Sequence, residues 1–204
     1  KFNVAAATFL DAKGEIDQIG EVITEGLKII PGGSKAASAQ NLLSAGGNIA
    51  LAGEYLAYAL EPFSATPNLF DSVNPEKQGS SESEYTLTEA IKIANQNLMV
   101  ANDRMLDASK DLEGVKDSDL PEEIRDDIKT IKDKLPELLS VVEKFDEYTD
   151  YLLVVLGDDI QKRYLVLFEN NRELRAGGGF IGSYALVDID QGQVKKMFVE
   201  GPYG

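Results

Sequence analysis

The apolar residues of this chain recur with one spacing up to about Leu156 and with another after Gly157, and this change of period constrains the fold more than any other feature. Alternating steps of three and four place side chains along one stripe of a helix. Steps of two place them on one face of a strand. Before Gly157 four stripes are legible. The first is Phe2, Ala5, Phe9, Ala12, Ile16, Ile19, Ile23 and Ile30, and the second is Leu42, Ala45, Ile49, Ala52, Leu56 and Ala59. The third is Leu87, Ile91, Ala94, Leu98, Ala101, Met105, Ala108 and Leu112, and the fourth is Ile124, Ile128, Ile131, Leu135, Leu138, Val142, Phe145 and Leu152. Turn signals at Pro31-Gly32-Gly33, across 61–84 and from Gly114 to Asp119 separate them. Stripes sustained over several heptads pack lengthwise at a shallow angle, so residues 1–156 are expected to form a long up-down four-helix bundle.

Local chemistry marks some of the helix ends. Thr86-Leu87-Thr88-Glu89 is a capping box, in which a threonine hydroxyl and a glutamate carboxylate satisfy each other's backbone N–H groups. Pro121 suits a first helical turn, and Pro136, inside the fourth stripe, is expected to bend a structural helix. The stretch 61–84, with Pro62, Pro67 and Pro75, reads as a long solvated connection.

After Gly157 the runs Tyr164–Phe168, Phe180–Ile189 and Val194–Val199 are rich in β-branched and aromatic residues, and Asp190-Gln191-Gly192-Gln193 supplies a tight turn between the last two. These runs predict an antiparallel meander, and the fold class is therefore α+β. Three strands need a partner surface for stability. Residues 157–204 are accordingly expected to be the N-terminal, incomplete part of a β-containing domain. A first residue of Lys1 and an end at Gly201-Pro202-Tyr203-Gly204 give the same expectation, that the sequence is a fragment.

Composition restricts the chemistry. The chain has no cysteine and no histidine, so thiolate nucleophiles, Ser-His-Asp triads and zinc sites of the usual kind are excluded. No catalytic residue, metal site or cofactor site is expected, and the fragment leans away from being an enzyme. A net charge of −15 argues against a nucleic-acid partner, whose phosphates call for clustered basic residues. The acidity is uneven, because residues 161–204 carry six basic and five acidic groups. Asp188 and Asp190 beside Gly192 supply too few oxygens for calcium, which takes about six to eight. No apolar window approaches the roughly 18 residues of a membrane span.

Gly177, Gly179 and Gly182 form a G-x-G-x-x-G, but the residues that follow, Ser183 to Val187, read as a strand. A dinucleotide fingerprint needs a helix there, with its N-terminal N–H groups on the pyrophosphate, so no nucleotide is expected. Gly177 to Gly179 instead suit a sharp re-entry loop with backbone at positive φ, which can present N–H groups to an anion. Beside them lie Asn170, Asn171, Arg172, Glu173 and Arg175. Two readings stand side by side. Glu173 and the arginines pair with one another and the asparagines satisfy loop backbone in a structural corner, or the arginine forks and asparagine amides recognise an anionic or glycan ligand.

The run from Arg163 to Arg175, followed by Gly178-Gly179-Phe180-Ile181-Gly182-Ser183-Tyr184, resembles the hallmark of a bacterial family catalogued as domain of unknown function 4012, whose members read YLxLFQNNxELRPTGGFIGSY. This chain has Glu169 in place of the usual Gln, and Ala176-Gly177 in place of Pro-Thr. The resemblance implies an extracytoplasmic envelope protein with a membrane-spanning segment upstream of Lys1, a helical region and a larger α/β part opened by the motif. The chemistry of the loop then suggests as partner an envelope glycan or a lipid-linked phosphate, with Asn170, Asn171, Arg172, Glu173, Arg175, Gly177, Gly178 and Gly179 as the candidate ligand-binding residues. A reading of another class makes the acidic helices an interaction, sensor or stalk module with no small-molecule ligand.

Overall fold

A computed structural model describes residues 33–66, 69–70, 73, 84–170, 172–173 and 179–201. They carry three long helices, α1 (Gly33–Leu60), α2 (Leu87–Glu113) and α3 (Glu122–Val155), followed by strands β1 (Lys162–Asn170), β2 (Phe180–Asp190) and β3 (Gln193–Glu200). The α+β class is as expected. The four-helix bundle is not supported, because three helices are present among the described residues; the stripe from Phe2 to Ile30 lies outside them.

The chain divides into two compact units. One comprises Lys1–Leu60 with Asn95–Glu147, the other Glu61–Ala94 with Tyr148–Gly204.

In the first unit the core consists of Ala45, Ala52, Met105, Ala108, Leu112, Leu135 and Val142, with Leu42, Ile49, Leu98, Ile128, Ile131 and Leu139 packed against it. Alanines every seventh residue on α1 leave room for the longer side chains of α2 and α3 to reach it. The fourth stripe needs one correction, since Leu139 joins the core and Leu138 is 49% exposed. From Leu135 a step of four turns the helix about 40° past a full revolution and a step of three leaves it about 60° short, so Leu139 lies nearer the core-facing line. Leu152, also in that stripe, is exposed.

The connection between α2 and α3 is held through backbone and side chains. Ser34 and Ser38 donate to the two carboxylate oxygens of Asp119, at 3.3 and 2.9 Å, while Arg125 donates to the carbonyls of Asp117 and Leu120. Helix α3 runs on through Pro136.

In the second unit the strands form an antiparallel sheet in the order β1-β2-β3, as the period-two runs predict. Its hairpin turn places Gln191 at φ 50° and Gly192 at φ 75°, the signature of a two-residue type I′ connection. Helix α3 ends in a Schellman motif centred on Gly157 (φ 71°), whose N–H donates to the Val154 carbonyl while that of Asp158 donates to the Leu153 carbonyl. The two motifs are then joined. Gln191 N–H donates to the Gly157 carbonyl at 3.0 Å and Gly192 N–H to the Leu156 carbonyl at 2.8 Å.

The start of α2 lies in the same unit, and its capping box forms as expected. Thr86 N–H donates to Glu89 Oε2 at 2.8 Å, and Glu89 N–H donates to Thr86 Oγ1 at 3.2 Å. The Thr86 N–H and hydroxyl hold the Glu89 carboxyl below its ordinary range. Lys92, one turn on, pairs with Asp158 just past the Schellman turn at 2.6 Å.

Candidate functional site

β1 runs out at Asn170, which sits opposite Phe180 at the start of β2. The Asn170 side-chain oxygen accepts from Arg172 N–H at 3.1 Å and its backbone carbonyl accepts from Glu173 N–H at 3.3 Å. This is an asparagine turning the chain on its own backbone. Its side-chain oxygen is therefore engaged in shaping the loop. Arg172 and Glu173 are exposed. Asn171, Arg175, Gly177 and Gly178 lie outside the described residues.

Gly179 is buried, and a Cβ there would stand 2.7 Å from the Asn170 carbonyl oxygen and 2.7 Å from Glu169 Cγ. The positive φ expected of this glycine is not what requires it. The two strands approach so closely at the mouth of the loop that no side chain fits between them.

Beyond Asn170 and Gly179 the register slips. Phe168 pairs with Ser183 but Glu169 pairs with Ile181, so Gly182 is an extra residue on β2. A bulge of this kind redirects side chains locally. At this end of the sheet Leu167, Phe168, Glu169, Asn170, Gly182 and Ser183 line an open cavity of ≈ 430 Å³. Leu167, Phe168, Glu169, Gly182 and Ser183 were not among the sequence candidates. The available signal was a glycine inside a strand-like run, which commonly marks a bulge or a close approach.

The other end of the sheet holds an ion pair that sequence reading missed. Arg163 and Asp188 face each other across β1 and β2, with Arg163 Nε donating to Oδ1 at 2.6 Å and an Nη2 hydrogen to Oδ2 at 2.7 Å. Lys196 lies opposite Asp188 on β3. Asp188 is 5% exposed, while the Arg163 side chain is 65% exposed. The Arg163 fork holds the Asp188 carboxyl below its ordinary range against the opposing effect of burial, and Lys196 adds to the lowering. Asp188 thus serves an arginine, and among the described residues no group of three or more potential ligands is placed to hold a metal ion.

This pair makes stability depend on pH in a direction that can be checked. A carboxyl lowered by folding contributes stability above its unfolded value, near 3.8, and that contribution is lost as pH falls through the folded value. Arg163→Met removes the largest lowering influence and leaves burial dominant over Lys196. The Asp188 carboxyl is then expected to titrate above its unfolded value. Urea midpoints measured from pH 3 to 7 should show the acid-side gain with rising pH replaced by a loss.

A second cavity, of about 340 Å³, is lined by Asp150, Leu153, Val154, Asp158, Asp159, Ile160 and Lys162. Of its carboxylates Asp158 pairs with Lys92, and Lys162 lines the same cavity. Among the described residues no helix is long and apolar enough to cross a membrane.

The class defined by this architecture is an α+β protein whose small antiparallel sheet displays a glycine-bounded loop at one end. Residues 159–200 match the family described as Protein of unknown function (DUF4012), and the assignment read from the sequence is borne out over that segment. No curated protein and no solved structure matches the chain.

Proposed function

We propose that this chain is part of an extracytoplasmic, membrane-anchored protein of the bacterial envelope, and that the β1–β2 loop end of its sheet binds an anionic glycan or a lipid-linked phosphate. The observation that carries this reading is the open cavity bounded by Phe168, Glu169, Asn170, Gly182 and Ser183, at the strand end from which the chain leads on to the exposed Arg172. A hydroxyl, an amide and an aromatic ring around an open recess suit a sugar, and an exposed arginine two residues beyond Asn170 suits a phosphate. The turn set by Asn170 and the close approach at Gly179 shape the rim before any ligand arrives, so little ordering entropy is lost on binding.

Calorimetric titration with a phosphorylated oligosaccharide and with phosphatidylglycerol vesicles tests the reading. Arg172→Ala is expected to weaken binding by about 1.5–3 kcal/mol, the scale of a charge-assisted hydrogen bond, with the melting temperature unchanged. Absence of binding to either probe, or unaltered affinity in the variant, would count against it.

A second reading, a helical interaction or stalk module, is favoured by the last turns of α3. Tyr148, Tyr151, Val154 and Val155 are each more than half exposed there. Apolar surface grouped in this way marks contact with another molecule more often than single exposed residues do.

A further inference from the structure

The order β1-β2-β3 leaves β1 and β3 as the sheet's two edges among the described residues, and the edges differ. An unprotected edge is a template for another strand, and proteins blunt such edges with lysines and bulges. β3 has both. Asp188 pairs with Lys196 but Ile189 with Val194, so Lys195 is an extra residue on β3, and Lys195 and Lys196 are both exposed. β1 has neither. Its one register slip puts the extra residue on β2, so none of its nine residues is bulged, and Leu165, Val166, Leu167 and Phe168 are 60%, 40%, 53% and 50% exposed.

We infer that the outer edge of β1 is a self-association surface on which a second copy of this chain pairs antiparallel, joining two three-stranded sheets into one of six strands. The occupant is a second copy because the charges of β1 are complementary to themselves. Lys162 and Arg163 stand at one end and Glu169 at the other, with an uncharged run between. Facing residues in an antiparallel pair lie on the same side of the sheet, so a two-fold axis perpendicular to it relates residues of equal parity. An axis through Val166 sets Leu165 against Leu167 of the second copy, Tyr164 against Phe168, and Arg163 against Glu169. The guanidinium of Arg163, half engaged by Asp188, remains 65% exposed for that second carboxylate.

Backbone pairing alone buries less than the roughly 1,200 Å² of a stable interface. The surface continues beyond the strand, however. Tyr164 donates its hydroxyl hydrogen to the Val155 carbonyl at 2.7 Å, which brings the exposed end of α3, with Tyr151, Val154 and Val155, up to the start of β1.

Sedimentation equilibrium of the 204-residue chain over micromolar to millimolar concentrations tests the inference. A reversible dimer of the 22.2 kDa chain is expected. Val166→Lys brings like charges together at the axis, and Glu169→Arg does so against Arg163 at two symmetric places, so each is expected to weaken the dimer by about tenfold or more. Both positions are exposed, and an unchanged far-ultraviolet spectrum shows that the fold persists. Met197→Lys on β3 is expected to leave the dimer intact. A monomer at every concentration overturns the inference, as does a dimer that survives both β1 variants or that dissociates with Met197→Lys alone.

Discussion

Gly192→Val is expected to unfold the sheet-bearing unit at a much lower denaturant concentration, with a stability loss of roughly 2–5 kcal/mol. Two effects add. At φ 75° a residue with a Cβ meets its own carbonyl, at about 1–2 kcal/mol for an ordinary side chain, with more strain for a β-branched one. The new Cβ would also stand 2.5 Å from Leu87 Cβ and 3.1 Å from Leu87 Cγ, and forcing atoms into packed space costs about 1–3 kcal/mol. Neither strain relaxes cheaply. Gly192 N–H is tied to the Leu156 carbonyl and Gln191 N–H to that of Gly157, so moving the turn breaks the tie to the end of α3. Guanidinium midpoints, with amide exchange followed at Ala185 to Asp188, check the result. Gly192→Ala should fall between the two, and equal stability of all three would show that the turn is not held against Leu87.

Leu112→Ala is expected to cost about 2–5 kcal/mol, the range for a leucine emptied from a packed core. Leu112 is 2% exposed and sits among Ala45, Ala52, Met105, Ala108, Leu135 and Val142. Three of those neighbours are alanines, which cannot extend into the space left behind, so the expected value lies in the upper part of the range. Leu138→Ala provides the contrast, because an exposed position typically changes stability by about 0.5 kcal/mol or less. Urea midpoints of the two variants should differ widely. Similar losses would mean that Leu138, as its place in the apolar stripe implied, is inside after all.

The elements were largely legible because their causes are short in range. The stripes of α1 and α2, the capping box of Thr86 and Glu89, the hairpin at Gln191-Gly192 and the change of period after Gly157 each depend on residues a few positions apart. The candidate site was legible in part. Asn170 and Gly179 do meet at the loop mouth, but the reason for Gly179 is the approach of the Asn170 carbonyl across the sheet, which no local conformational preference announces. Phe168 and Ser183 entered the cavity through a bulge, and a bulge is a property of two paired strands together.

Within the described residues, then, the sequence by itself determined where helices and strands form, how several of them end, and that the last segment is nearly neutral beside an acidic body. Backbone hydrogen bonding and side-chain direction repeat over three to five residues, so these features are written locally. Tertiary structure alone decided that Asp188 is held by Arg163 across the sheet and that Gly192 lies against Leu87. Each of those outcomes joins residues far apart in the chain. Packing and desolvation choose among partners that sequence patterning leaves equivalent, and only the assembled fold brings the chosen atoms within contact distance.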